Sequence, residues 1–449
     1  MYKEYIYKQA ALNSDIKLYP HQQRFVDKPG SGVIAAHTVG GGKTLAAIAR
    51  FEKLKDEGKA NKALVVVPSS LRENFGKDGV GKFTDSKYNV IGNKQEIKSK
   101  LYNDVDPNAD YNIISYDIFK KDPERYLKES GADTVISDES HRSKNEDTAV
   151  RMALKETRDL YKNFIGLTGS VVSNTVADVH PLVDIASGGK HTLGESKKDF
   201  LRQFAKRNNS SAFSHLPEEK RPIAGFRHKR QLRNELNKYI DYVDYDDIKH
   251  LANMPEKDIK VNKVPITKQQ AKIYKQILND DKDIKRMILN KKMAQGLTEE
   301  EARKAFNKLV ASRRLMNSIG AIDPSISLTE SAKITPKTKR LLDDLENHIK
   351  TTPDAQALLF SHLIDGGVDV LEAGLKDRNI EYGKFIGKGN KGVTEKTRQK
   401  DVDEYNKALK RVMLISGAGG EGLSLNNTTW EGVLDPHFNP EKMKQMEAR

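Results

Sequence analysis

A glycine-rich stretch, His37–Thr44, constrains the fold of this chain more than any other feature. It follows the short apolar run Val33–Ala36 and precedes the helical pattern Leu45–Phe51. Strand, glycine turn, Lys-Thr and helix, in this order, form the arrangement that a phosphate-binding loop requires. Glycines let several backbone N–H groups point at one anion, and the helix N-terminus adds positive partial charge there. In such a loop Lys43 contacts the β- and γ-phosphates, and the Thr44 hydroxyl binds Mg²⁺.

Two observations qualify this interpretation of the loop. A glycine turn before a helix also occurs for purely structural reasons, and His37 stands where the strict pattern has glycine. Upstream of the loop, Gln22 follows Leu18–His21. A glutamine amide carries a donor and an acceptor, so it can pair with the donor–acceptor edge of adenine. An ordinary surface glutamine is the alternative, and the position just before the loop favours the adenine contact.

The composition limits the classes of partner and compartment. The 449 residues suggest two or three domains, and the formal net charge of +14 attracts polyanions, of which nucleic acid is the usual one. A generic basic surface is the alternative. No apolar run approaches the roughly 20 residues of a membrane helix, and Met1–Tyr5 lacks the apolar segment of a signal peptide. Cysteine is absent, which excludes disulfides and thiolate chemistry and fits a reducing compartment.

Short apolar runs alternate with helical patterns after the loop. Continuous apolar runs separated by helices indicate a parallel sheet that is covered on both faces, where ligands bind at the carboxyl ends of strands. The predicted strands are Ala63–Val67, Ile113–Ile114, Thr134–Ile136 and Phe164–Leu167. The polar clusters that follow them are Pro68–Ser70, Ser115–Tyr116, Asp138–His141 and Thr168–Ser170.

The acidic cluster has the residue types that phosphate hydrolysis needs. Asp138 is placed to bind Mg²⁺, which prefers hard oxygen ligands and keeps several waters beside nucleotide phosphates. Glu139 can orient and deprotonate a water that attacks the γ-phosphate. A surface Asp-Glu pair that caps a helix is the alternative, and the upstream loop favours hydrolysis.

The rest of the chain divides into two parts. Residues 191–330 are rich in Lys, Arg, Gln and Asn, with helical spacing and few strand signals. A second α/β pattern covers 331–449, with a helix from Thr335-Pro336 and the predicted strands Ala357–Phe360 and Val412–Ile415. The glycine-dense loop Ser416–Leu425 lacks a following Gly-Lys-Thr, so this part has no phosphate cradle of its own. We therefore expect a first lobe over 1–190, helical protrusions and linker over 191–330 and a second lobe over 331–449.

These segments together resemble a known family. The chain is similar to superfamily 2 helicases, and among them to Swi/Snf-type ATP-dependent double-stranded DNA translocases. The segments that resemble family motifs, in family order, are Leu18–Gln22 (Q motif), His37–Thr44 (I), Leu64–Leu71 (Ia), Asp138–Asn145 (the DEAH box with its trailing Lys-Asn), Leu167–Ser170 (III), Leu358–Ser361 (IV), Gly420–Leu425 (V) and Asn439–Arg449 (the opening of VI).

The resemblance implies an α/β fold of two RecA-like parallel-sheet lobes with helical insertions between them, and an ATP hydrolase that uses ATP and Mg²⁺. The residues implied to bind the nucleotide are Gln22, Gly40, Gly41, Gly42, Lys43 and Thr44. The implied magnesium ligands are Thr44 and Asp138. The implied catalytic residues are Lys43, Glu139, Gln445 and Arg449. The implied DNA contacts are Pro68, Ser69, Ser70, Ser361, Gly422 and Ser424. The residues implied to couple hydrolysis to movement are His141, Thr168, Gly169 and Ser170.

The chain departs from the family pattern at several positions. His37 replaces the usual residue of motif I, Ser140 replaces alanine in the DEAH box, Val171 replaces proline after motif III and Phe438 replaces tryptophan near motif VI. The chain stops at Arg449, the first motif VI arginine, so we expect a truncated piece of a longer protein that hydrolyses ATP poorly by itself.

The expected function is ATP-driven movement along duplex DNA, favoured over single-stranded DNA or RNA, with little sequence specificity, in repair, recombination, branch migration or replication. We expect a monomer without membrane contact, in the cytoplasm of a bacterial or phage-infected cell or otherwise intracellular with DNA; its protein partners stay open. Three alternatives stay open. The first is an ATP-binding nucleic-acid scaffold without turnover, the second is the motor of a restriction-type nuclease or methyltransferase system, and the third is an RNA helicase.

Overall fold

The protein is represented by a computed structural model that describes residues 12–13, 15–145, 148–169, 176–210, 221, 223–251, 258–278, 299–387, 393–417, 425, 427–436 and 443. The chain forms two compact units, Met1–Glu256 and Lys257–Arg449. None of the helices in this described part has the length and apolarity needed to cross a membrane.

The first unit is built on a parallel sheet. Its strands, in chain order, are β1 Gly32–His37, β2 Ala63–Val67, β3 Tyr88–Val90, β4 Tyr111–Ser115, β5 Thr134–Ser137, β6 Asn163–Thr168 and β9 Ile240–Val243. They lie side by side in the order β3-β4-β2-β5-β6-β1-β9, and every neighbouring pair is parallel. A separate antiparallel pair consists of β7 Ala205–Arg207 and β8 Ile223–Phe226.

Both faces of this sheet are buried, which explains the continuous apolar runs. Successive side chains of a strand point to opposite faces. In β1, Val33 and Ala35 pack in one core with residues of the helix that follows the glycine loop, while Ile34 packs in the core on the other face. At roughly 25 cal/mol per Å² of apolar surface, these two cores are the main stabilising contribution in the unit.

Helices cover the sheet and connect its strands. Those of the first unit are α1 Pro20–Val26, α2 Lys43–Asp56, α3 Arg72–Asn74, α4 Gly81–Phe83, α5 Lys94–Lys98, α6 Tyr116–Phe119, α7 Pro123–Ser130, α8 Ala149–Glu156, α9 Val179–Ser187, α10 Lys197–Phe204, α11 Lys229–Tyr239 and α12 Tyr245–Ile248. Because parallel strands require crossovers, the strand ends and the loops that follow them gather at one edge of the sheet.

The second unit repeats the parallel α/β plan on a smaller scale. Its strands β10 Ala357–Ser361, β11 Tyr382–Phe385, β12 Val412–Ser416 and β13 Trp430–Asp435 lie in the order β11-β12-β10-β13, all parallel. Its helices are α13 Lys268–Leu278, α14 Glu299–Asn317, α15 Leu328–Ile334, α16 Pro336–Thr351, α17 Asp369–Asp377 and α18 Glu395–Asn406. Proline at the first position of α16 fits a helix start because its missing N–H would have no intrahelical partner there.

The predicted fold class is confirmed: the chain is α/β, with two parallel sheets separated in sequence by a largely helical stretch. All the strands that the apolar runs predicted are present. The stretch 191–330 also contains β7, β8 and β9, which the sequence did not reveal, and β9 belongs to the first sheet. The three-part division at 190 and 330 stays a prediction; the two compact units meet in sequence at Glu256 and Lys257.

Candidate nucleotide-binding site

The glycine loop connects β1 to α2 in a conformation that glycine favours. Gly40 has φ +81° and Gly42 has φ +67°, both in the left-handed region, and Gly42 directly precedes the helix. A Cβ atom on Gly42 would stand only 2.2 Å from Nε2 of Gln22. The loop therefore brings backbone N–H groups and the positive end of a 14-residue helix to one place, as an anion-binding site requires.

Helix α1 supports the far end of the loop. Nε2 of Gln22 donates to the carbonyl oxygens of Gly42 at 3.2 Å and Gly41 at 3.5 Å. Oε1 of Gln22 accepts from the backbone N–H of Tyr19 at 2.9 Å. His21 adds a ring-nitrogen contact of 2.9 Å to the carbonyl oxygen of Gly41. Gln22 thus lies beside the loop, and its contact with adenine stays a proposal.

Lys43 places its ammonium group at the loop. Nζ donates to the carbonyl oxygens of His37 at 3.2 Å and of Thr38 at 3.3 Å. The same charge is near enough to Asp138 to lower the pKa of that carboxyl. Thr44, the next residue of α2, is partly exposed. The charged group of the loop and the acidic cluster after β5 therefore face the same region.

Asp138 and Glu139 lie at the end of β5, two strands from β1 in the same sheet. The backbone N–H of Asp138 continues the ladder by donating to Val66 at 2.9 Å, and the N–H of Glu139 donates to Oδ1 of Asp138 at 2.9 Å. Each residue is 8% exposed. Burial, and then the charge of Glu139, raises the pKa of Asp138 above its ordinary value, against the opposing effect of Lys43.

His141 joins the acidic cluster to the end of β6. Its Nδ1 lies 3.2 Å from Oε2 of Glu139 and 3.3 Å from Oγ1 of Thr168. Gly169 follows Thr168 and is partly exposed. His141 is therefore in contact both with Thr168, another predicted coupling residue, and with Glu139, the predicted general base.

Ser140 departs from the family residue, and its hydroxyl has a structural role. It donates to the carbonyl oxygen of Ser137 at 2.6 Å and accepts from the N–H of Leu167 at 3.2 Å. The side chain is buried, with 1% of its surface exposed. The hydroxyl thereby bridges the ends of β5 and β6.

Tyr116 is a supporting residue that sequence reasoning did not assign to the site. Its hydroxyl donates to the carbonyl oxygen of Asp138 at 2.5 Å and lies 2.8 Å from Oγ of Ser137. Burial raises the pKa of Tyr116 far above its ordinary value, so the hydroxyl stays protonated. In the sequence, the feature that could have pointed to Tyr116 is the polar pair Ser115-Tyr116 directly after a predicted strand.

The donor set fits a magnesium-bound nucleotide. A glycine loop with left-handed Gly40 and Gly42, an ammonium group and a helix N-terminus suit phosphate oxygens. The Thr44 hydroxyl and the Asp138 carboxylate are hard oxygen ligands, which Mg²⁺ prefers. No cluster of three or more His, Cys, Asp or Glu side chains that could hold a metal ion occurs in the described ranges.

The remaining predicted residues have different surroundings. Pro68 is buried, whereas Ser69 and Ser70 are partly exposed at the end of β2. In the second unit, Ser361 is fully buried, and its hydroxyl donates to Oδ1 of Asp435 at 2.6 Å. A DNA contact through this hydroxyl would require it to exchange that partner.

The predicted residues that lie outside the described ranges are Ser170, Gly422, Ser424, Gln445 and Arg449. Two of the departures, Val171 and Phe438, lie outside them as well.

Comparison with known proteins assigns the family. Residues 13–321 match the SNF2-related domain. The chain belongs to the SNF2-related family. This membership confirms the predicted resemblance to the Swi/Snf-type, helicase-like ATPases of superfamily 2, a family whose members use ATP.

Individual relatives of this SNF2-related protein are distant. It is 27% identical over 448 residues to the zebrafish (Danio rerio) "DNA repair and recombination protein RAD54-like". This match covers 93% of this chain and 58% of the relative. It is 25% identical over 446 residues to the "Putative ATP-dependent RNA helicase L538" of Acanthamoeba polyphaga mimivirus, covering 97% of this chain and 84% of that protein. The chain thus spans less than two thirds of its zebrafish relative.

A solved structure supports the predicted fold of RecA-like lobes. The helicase domain of Pyrococcus furiosus Hef matches with a TM-score of 0.50 at 14% identity, and the match covers 98% of this chain and 94% of that one. At this identity the match shows the fold alone. It agrees with the two parallel sheets described above.

Proposed function

We propose that this SNF2-related protein hydrolyses ATP and uses the energy to move along duplex DNA with little sequence specificity. The observation that carries the proposal is that the glycine loop lies beside Asp138 and Glu139 at one edge of the first sheet. Lys43 of the loop is close enough for its charge to lower the pKa of Asp138. Phosphate cradle, magnesium ligand and general base are the parts that ATP hydrolysis requires.

Each residue of the site has a distinct proposed role. The loop Gly40–Gly42, with Gln22 beside it, binds the nucleotide, and Lys43 contacts its β- and γ-phosphates. Thr44 and Asp138 would hold Mg²⁺, which neutralises the charge that develops on the phosphate oxygens. Glu139 orients the attacking water and accepts its proton.

His141 is proposed to transmit the state of the site. It contacts both Glu139 and Thr168. A change in the hydrogen bonding of the Glu139 carboxylate would therefore move His141, which is the partner of the Thr168 hydroxyl at the end of β6. Gly169 and Ser170, which follow Thr168 in the sequence, are proposed to take part in the same coupling. The other proposed contributors, Gln445 and Arg449, would contact the γ-phosphate, where a positioned arginine is worth about 10³–10⁵ in rate.

Duplex DNA is the proposed track. The net charge of +14, the partly exposed Ser69 and Ser70, and the DNA repair name of the zebrafish relative support it. Further contacts are proposed at Pro68, Ser361, Gly422 and Ser424. Hydroxyl and backbone contacts to phosphate do not read the bases, so little sequence preference is expected. Repair, recombination, branch migration or replication are the processes proposed.

RNA is the second candidate track, because the mimivirus relative is named as a putative RNA helicase. The deciding experiment measures displacement of a triplex-forming third strand from duplex DNA, in parallel with separation of an RNA duplex. We expect third-strand displacement that requires hydrolysable ATP and leaves the RNA duplex intact. Separation of RNA without third-strand displacement would contradict the DNA proposal and support the RNA one.

A further inference from the structure

A carboxylate outside every motif contacts the start of the glycine loop. Asp241 lies in β9, which pairs with β1 in the register Ala35 with Asp241 and His37 with Val243. Oδ2 of Asp241 is 2.9 Å from Nε2 of His37, and its Oδ1 accepts from Nε of Arg24 at 2.8 Å. The carboxylate is therefore shared between the first residue of the loop and helix α1.

The His37 ring is held in one orientation. It is fully buried, and the rings of His21 and Phe25 pack against it edge-on with centroids 5.3 and 5.6 Å away. Burial lowers the pKa of His37 against the opposing effect of Asp241. Because a carboxylate only accepts hydrogen bonds, Nε2 must carry the proton of the neutral ring. The ring and the carboxylate thus form one fixed donor–acceptor pair.

The same pair is linked to the rest of the loop. The carbonyl oxygen of His37 accepts from Nζ of Lys43, so the main chain that carries the ring also positions the ammonium group. The N–H of Thr38, the next residue, donates to the carbonyl of Val243 in β9 at 2.9 Å. Displacing His37 therefore displaces the part of the loop that faces the phosphates.

Helix α1 contacts both the Asp241 carboxylate and the glycine loop. Arg24 binds Asp241, while His21 of the same helix contacts the carbonyl oxygen of Gly41. Burial alone would raise the pKa of Asp241, but its hydrogen bonds to His37 and Arg24 outweigh that effect and lower it. The group is thus a carboxylate at neutral pH, with both oxygens engaged on elements that hold the loop.

We propose that Asp241 is a positioning residue: through His37 and Arg24 it fixes the glycine loop in the conformation that binds nucleotide. This inference rests on the proposed function, because it assigns to the loop the role of nucleotide binding. It also accounts for His37, the departure at the start of the loop, as one half of a pair whose other half comes from β9.

The test measures the affinity of the full chain for Mg-ADP by calorimetry, together with the urea midpoint of each variant. Asp241→Asn and His37→Ala are each expected to weaken ADP binding by about 10-fold, and the double variant by no more than about twice the larger single effect. His37→Gln keeps an amide donor and is expected to restore most of the affinity. Asp27→Asn, which removes an ion pair with Lys53 at the other end of α1, is the matched control and should bind like the unaltered chain.

Four outcomes would count against these proposals. Single effects that multiply in the double variant, or folded variants that lose stability while keeping full ADP affinity, would overturn the positioning role. If Asp241→Asn does not fold, Arg24→Gln decides the matter, since 57% of the Arg24 side chain is exposed and its loss leaves the core intact; unchanged affinity there overturns the role. Failure of the unaltered chain to bind ADP would refute the proposed function instead.

Discussion

Glu139 has a left-handed backbone conformation, with φ +51° and ψ +48°, although it is not glycine. Such a conformation costs about 1–2 kcal/mol and persists where the surrounding structure enforces it, often at functional sites. Here the conformation follows directly on the strand end and turns the chain so that the carboxylate meets His141. The strained residue is thus the one to which the hydrolytic step is assigned.

Replacing Glu139 by glutamine tests that assignment. The amide keeps the shape of the side chain but cannot accept the proton of the attacking water, so turnover should fall by about 10²–10⁴ while ATP binding is retained. Phosphate release and ATP affinity measure the two effects separately. Glu129→Gln, which changes an exposed ion pair with Arg125, is the control. Turnover equal to that of the unaltered chain would remove Glu139 from the mechanism.

Ser140 permits a second prediction at this scale. Replacing it by alanine removes the hydroxyl that bridges Ser137 and Leu167. We expect a loss of about 1 kcal/mol in the free energy of unfolding, since one buried hydrogen-bonding group disappears, and little change in turnover. Urea unfolding measures the first and phosphate release the second. A large loss of turnover at unchanged stability would show that the hydroxyl acts in the reaction.

At the scale of elements, the sequence predicted what is encoded locally. The strands β2, β5, β6 and β10 each contain a short apolar run, and such runs identify buried parallel strands. The edge strand β9 was missed because it is short and carries polar Asp241 and the 65% exposed Tyr242. The contact between Asp241 and His37 joins residues 204 positions apart. No local pattern predicts it, because it arises only when β9 pairs with β1.

One buried arginine fixes how α2 meets the chain that leads into β1. Arg50, 3% exposed, donates to four main-chain carbonyl oxygens, those of Phe25, Val26, Lys28 and Gly30. Burial lowers the pKa of Arg50 to about 10. Because Arg50→Met removes this buried donor from all four carbonyls, we expect the free energy of unfolding to fall by about 2–4 kcal/mol.

Urea unfolding checks the Arg50 prediction. The matched control is Arg125→Met, which removes an arginine from exposed ion pairs with Asp104 and Glu129 and should cost at most about 1 kcal/mol. Equal losses for the two variants would show that the carbonyl contacts of Arg50 contribute no more to stability than a surface pair.

In the second unit, α17 and β11 are joined by a carboxylate. Glu372 accepts from Tyr382 at 2.7 Å and from Lys384 at 3.0 Å. Burial raises the pKa of Glu372, but hydrogen bonds from Tyr382, Lys376 and Lys384 outweigh it and lower the pKa to about 2. A carboxyl whose pKa is lower in the folded state stabilises the fold above its unfolded value of 4.5 and loses that contribution as pH falls towards 2.

We therefore expect Glu372→Gln to destabilise the protein by about 1 kcal/mol at pH 7, and by progressively less as pH falls from 4.5 to 2. Urea midpoints across this pH range measure the difference. Glu381→Gln, which changes an exposed carboxylate beside the same strand, should show no such trend. A difference that stays constant with pH would contradict the assigned cause of the shift.

At the scale of the whole molecule, the family and the α/β fold were predictable because motifs in a fixed order constrain a chain far more than any single motif does. The glycine loop of the first unit and the acidic cluster after β5 are each local in sequence, and they meet because parallel strands share an edge. The surface proposed to contact DNA is less predictable, since isolated serines carry no such pattern. Ser361 illustrates this point, because its hydroxyl is bound to Asp435 inside the second unit.

The central claim is that one loop and one acidic pair hydrolyse ATP in response to DNA. Steady-state phosphate release, measured with and without duplex DNA for the unaltered chain and for Lys43→Ala, tests it most directly. We expect duplex DNA to raise turnover at least about 10-fold, and Lys43→Ala to lose nearly all of it, because a phosphate-contacting charge is removed. Turnover that is indifferent to DNA, or that survives in Lys43→Ala, would contradict the account.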